Sequence, residues 1–175
     1  MTASASKSTS NLTTTIDVLR HQTALVHGVV RLNLNGVTQS ESLVQPQPAG
    51  NCLNWVVGHL VAVYHNVLPL LGQEPVLDAT VLQRYERGSA PLRNGTDALD
   101  ISELLTAWDE CCARVDAGLA GLSEETLAAP APVSPLKNPD ETIGSLLSTI
   151  CWHQAYHSGQ TGVLRRIAGK PGAIK

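Results

Sequence analysis

The segment "HQAYHSGQTGVLRR" places two histidines, His153 and His157, four residues apart. Neutral imidazole is the commonest protein ligand for divalent metals, and side chains at i and i+4 of a helix project to the same side, so one ion can take both. In a chain with six histidines that spacing alone is weak evidence, and placement says more. Ile143, Leu146, Leu147 and Ile150 recur at spacings of three and four, and the same stripe continued lands on His153, His157, then Gln160 or Thr161, and Leu164. A second segment, "NWVVGHL", sets His59 beside Leu60 on the stripe of Val56 and Val63. The expectation is therefore three core-facing imidazoles, His59, His153 and His157. A buried polar group left unpaired costs about 1–3 kcal/mol, and a shared divalent ion removes that cost for all three. Three histidine ligands leave a coordination position for water or substrate, as in catalytic zinc sites. The same set suits zinc, nickel, iron or copper.

The other chemical candidates are weaker. His65 follows His59 by six residues, about 240° round a helix, and His21 and His27 miss the stripe of Ile16, Val26 and Val30; all three read as surface or edge residues. A metalloprotease of the H-E-x-x-H type needs glutamate after the first histidine, where Gln154 stands. There is no Gly-rich phosphate loop and no G-x-S-x-G elbow. Cys52, Cys111, Cys112 and Cys151 form no C-x-x-C pair and read as small buried hydrophobes. Arg165 and Arg166 fall in the last turns of their helix, where they complement its dipole and pair with nearby carboxylates.

Four helical patterns must position these residues. The first runs from Thr13 to Val37, and the second from about Asn51 to Leu71 with Gly72 as its C-terminal stop. The third begins at Ile101 behind Asp100 and reaches Leu122, and the fourth begins at Ile143 behind Asp140 or Thr142 and closes at Gly169 and Pro171. Residues 73–99 are too long for a hairpin turn and suit a lengthwise crossover between the second and third helices. "AAPAPVSPLKNPD" carries four prolines and reads as a stiff linker. The expected fold is all-α, a four-helix bundle with a long crossover, over residues 13–175, with residues 1–12 a disordered Ser/Thr-rich arm.

The 175 residues fit one domain with a real core. With 43% hydrophobic and 15% charged residues the chain reads as globular, and with no Phe and six other aromatics the core must be aliphatic, as in packed helices. A net charge of −3 with no basic run gives nucleic acid or an anionic membrane no foothold. No apolar run approaches the roughly 18 residues a membrane helix needs, and the N-terminal stretch has no signal-peptide core. A cytoplasmic location is expected.

"NWVVGHL", followed about ninety residues later by "HQAYHSGQTGVLRRIAGKPG", resembles the DinB superfamily of metalloenzyme-like proteins. The pattern H-x-x-x-H-x-G-Q-x-G-x-L-R-R is its most specific part. The resemblance implies a four-helix bundle, often a homodimer, holding a nickel or zinc ion through one histidine of the second helix and two of the fourth. On this chain those are His59, His153 and His157. It also implies a small-molecule substrate, since activities in the family include low-molecular-weight thiol transfer and mycothiol-dependent maleylpyruvate isomerisation. Gln154 departs from a common pattern with an acidic residue at that place. The expected function is a metal-dependent transferase or hydrolase; the alternatives are a non-catalytic metal-binding bundle and a dimerisation module whose histidines pair with carboxylates, Asp109 and Glu110 being the nearest.

Overall fold

The computed structural model describes residues 13–92 and 95–174; the expected N-terminal arm, residues 1–12, lies outside them. Among the described residues the chain is all-helical, with no strand and one isolated bridge between Pro130 and Thr142. Four helices are long: α1 (Thr15–Leu34), α3 (Leu53–Val67), α5 (Ile101–Ala120) and α7 (Ile143–Ile167). The connections hold three short ones, α2 (Gln39–Ser42), α4 (Ala79–Leu82) and α6 (Glu124–Ala128). Turns of 3₁₀ type follow α3 at Leu68–Leu71 and α4 at Gln83–Tyr85.

Local chemistry sets the helix ends. Asp100 accepts from the backbone N–H of Ser102 to start α5, and Thr142 forms a reciprocal capping box with Ser145 to start α7. Gly72, at φ +67°, closes the α3 segment in the left-handed conformation that lacks a Cβ penalty only for glycine. The connection 73–99 is not featureless, because α4 and its 3₁₀ turn tuck Leu82 and Tyr85 into the core. The proline-rich stretch folds back on itself, Ala131 N–H donating to Glu141 O at 2.8 Å and Ile143 N–H to Ala129 O at 2.9 Å.

α3 is buried nearly all round, as its apolar composition requires. α1 and α7 pack on each other, α5 packs on both α1 and α3, and α7 reaches α3. The stacked rings of Tyr64 and Trp108, 5.4 Å apart, join α3 to α5. The α1–α7 seam is more polar. Asn33 Nδ2 donates to Thr161 Oγ1 at 2.9 Å, and Arg165 Nη1 donates to the carbonyls of Asn33 and Asn35, both at 2.8 Å. Arg165 thus binds helix-end carbonyls, not the carboxylates expected from sequence.

Candidate metal centre

The buried positions of α7 are Leu146, Leu147, Cys151, Gln154, Ser158, Thr161 and Leu164, so the expected stripe holds at Leu146, Leu147, Thr161 and Leu164 but runs through Cys151, Gln154 and Ser158 in place of Ile150, His153 and His157. His153 and His157 stand one position aside, half-buried at the edge of that stripe. Between Leu147 and Leu164 the buried positions are small or polar, which an apolar count does not register. Gln154, fully buried, donates from Nε2 to Leu60 O at 3.1 Å and so ties α7 to α3 beside both His59 and His153.

α3 and α7 bring the three expected histidines together. One ligand nitrogen from each of His59, His153 and His157 lies within 4.8 Å of the others. His59 Nε2 and His153 Nε2 are 3.3 Å apart. Two ligands on a tetrahedral ion with bonds of roughly 2.0–2.1 Å would be separated by about 3.3–3.4 Å, so this pair already has the span of one coordination edge.

The orientation of the rings fits the same purpose. His59 Nδ1–H donates to Tyr85 O at 2.7 Å, and His157 Nδ1–H donates to Gln160 Oε1 at 2.7 Å. A proton held on Nδ1 leaves the lone pair on Nε2, and such a hydrogen bond behind the ring is the usual support of a metal-ligating histidine. His153 Nδ1 is buried without a hydrogen-bond partner among the described residues. Its pKa is pushed down to about 4, by burial first and then by the neighbouring His157 and His59 rings. Burial likewise lowers His59 and His157, against opposing hydrogen bonds from Tyr85 and Gln160. All three shifts favour the neutral ring, the form a metal requires. The donor set fits a divalent ion of the borderline class.

Tyr85 supplies the support for His59, and the sequence alone did not single it out. Its ring packs against the backbone of α3 at Gly58, where an added Cβ would sit 2.2 Å from Tyr85 Cδ1. The missing side chain at Gly58 is what lets Tyr85 come close enough for its carbonyl to receive His59. Trp55 stacks on the face of the His59 ring, centroids 4.8 Å apart and 14° from parallel.

The remaining histidines stand elsewhere. His21 is exposed, and His65 bonds to Leu77 O through Nδ1 at 3.1 Å. His27 is half-buried and turns inward, its Nε2 2.9 Å from Tyr64 Oη and its ring edge-on to Trp108. The carboxylates considered as histidine partners are engaged otherwise, Asp109 with Arg31 at 3.3 Å and Glu110 with Arg114 at 2.8 Å. The four cysteines are free; Cys52, Cys111 and Cys151 are buried, and burial pushes the Cys111 thiol up to about 12.

The three histidines sit in a cleft of about 960 Å³ that is open to solvent, walled by Trp55, Val56, Trp152, Tyr156, Leu164 and Arg87 among others. That volume is in the range of small-molecule sites. No carboxylate lines it among the described residues, so a protein carboxylate base is absent from its walls.

Comparison with known proteins agrees with this architecture. The sequence model of the DinB superfamily matches residues 19–161. No curated protein matches the chain. Among solved structures, the crystal structure of a conserved protein from Enterococcus faecalis is similar, with a TM-score of 0.67 at 17% identity over 87% of this chain and 96% of that one. At that identity the likeness is one of fold.

Proposed function

The chain belongs to the DinB superfamily, and on that premise we propose that it is a metal-dependent enzyme whose divalent ion is held by His59, His153 and His157. The observation that carries this reading is the convergence of three neutral imidazoles, two with Nδ1 fixed by a carbonyl oxygen, on the wall of an open cleft. An ion bound there would act as a Lewis acid, polarising a substrate carbonyl or lowering the pKa of a bound thiol or water. The protein's own part is to keep the rings unprotonated, to set their spacing through Gln154 and Tyr85, and to offer a partly apolar wall that excludes water from one side. Nickel and zinc are the ions we favour, with iron and copper next.

The reactions proposed are transfer of a low-molecular-weight thiol to an electrophile and hydrolysis. The rival, a non-catalytic metal site, needs no cleft, and an opening of this size favours the enzyme. Activity of the zinc- or nickel-loaded protein toward a thiol plus an electrophilic acceptor, and toward activated esters, tests it. Activity should vanish with chelator and return on reloading; a loaded protein inert to both classes would leave the non-catalytic reading.

For the whole chain we propose a bundle of the four long helices with residues 73–99 as its crossover, assembled as a homodimer. Exposed Val18, Leu25 and Leu32, seven residues apart along one face of α1, support the dimer. Four free thiols and the lack, among the described residues, of any helix long and apolar enough to cross a membrane suit a cytoplasmic location.

A further inference from the structure

The cleft holds more than a metal site requires. Among its described lining residues Arg87 alone carries a full charge at neutral pH. Its guanidinium has no ion pair or hydrogen bond among the described residues.

The backbone beneath Arg87 is fixed by hydrogen bonds. Trp55 Nε1 donates to Arg84 O at 3.1 Å and to Ser89 Oγ at 3.0 Å, and Ser89 Oγ donates to Arg84 O at 2.8 Å. Ser89 N–H closes the turn on Glu86 O at 3.0 Å, with Gly88 at φ +85°. The same turn carries Tyr85, whose carbonyl holds His59. One hydrogen-bonded turn thus positions both a candidate metal ligand and a cation.

The α7 wall differs in kind. Trp152 and Tyr156 are 68% and 56% exposed, yet their rings stack with centroids 6.0 Å apart and 25° from parallel. Val163 and Ile167, also exposed and also lining the cleft, continue the apolar surface. Two large aromatic side chains held in register at the mouth of a cleft form a platform for a flat apolar group.

We propose that the cleft is a binding site for small aromatic carboxylates, Arg87 receiving the carboxylate and the Trp152–Tyr156 pair receiving the ring. This rests on the reading of the cleft as a substrate site and names the substrate class. A single guanidinium presents a planar fork that matches one carboxylate bidentately. Among the described residues no acidic side chain lines the cleft to compete for that fork.

The test uses zinc-loaded, tag-free full-length protein and calorimetric titration with three probes: 1-naphthoate, the neutral 1-naphthalenemethanol and acetate. Naphthoate should bind at least about tenfold tighter than either of the others, the scale of one charge-assisted contact. Arg87→Ala should remove about tenfold of that affinity, leaving the alcohol and the zinc content unchanged, and Arg87→Lys should recover part of it. Trp152→Ala with Tyr156→Ala should weaken naphthoate and the alcohol together. Equal affinities for naphthoate and the alcohol would overturn the proposal. So would full naphthoate affinity in Arg87→Ala, which marks a carboxylate held by zinc alone, or full affinity in the aromatic double variant. The Arg87 dependence should persist in metal-free protein, so a failure to bind zinc sinks the metal reading and leaves this one standing.

Discussion

His27 and the three clustered histidines are kept neutral by the same force, burial, but with different consequences. Burial holds the His27 pKa at about 4, against about 6.5 in an unfolded chain. Between those values the unfolded chain carries a proton that the folded chain does not. The contribution of His27 to stability is therefore complete above about pH 6.5 and is lost as pH falls toward 4. Urea denaturation of the metal-free protein at pH 7, 6 and 5 should show this loss, and His27→Gln, which can still accept from Tyr64 Oη without titrating, should show a shallower one. Identical pH slopes in the two proteins would refute the assignment. Trp108 Nε1 and Gln154 Oε1 are also buried without hydrogen-bond partners among the described residues.

At the level of elements, the contact between α3 and the 3₁₀ turn after α4 controls the site. A methyl group at Gly58 would meet three atoms of the Tyr85 ring at 2.2 to 2.5 Å. Gly58→Ala should destabilise the protein by about 1–3 kcal/mol, the usual range for overpacking, and should also weaken metal binding by displacing the carbonyl that orients His59. Thermal denaturation and metal titration together check this; unchanged metal affinity would mean that Tyr85 does not orient the ring. The long helices were legible because each combines an apolar period with a stop or start signal, as Asp100, Thr142 and Gly72 show. The segment Ala79–Tyr85 was not, since pieces of three and four residues span too little of a turn to reveal a period. The three histidines were legible from spacing and resemblance, yet their setting was misread. In the middle of the stripe the buried positions are shifted by one, because Cys151, Gln154 and Ser158 occupy them. Arg87 and Tyr85 gave no sequence signal, as both acquire their places only through the turn that Trp55 pins.

Across the whole molecule, two surfaces divide the labour. The outer face of α1 exposes Val18, Leu25 and Leu32, and on the homodimer reading Leu25→Glu with Leu32→Glu should convert the protein to monomers in light scattering while leaving its helical content intact. A wild-type monomer would remove that reading. The cleft face carries the three imidazoles, and its proposed chemistry depends first on whether they share an ion. The most direct measurement is the metal content of tag-free protein purified without chelator, beside His59→Ala and His153→Ala variants whose folding is verified by circular dichroism. The expected result is about one divalent ion per chain in the wild type and its loss from both folded variants. A wild-type chain without stoichiometric metal, or a His59→Ala variant that keeps it, would overturn the shared-ion reading of the three histidines.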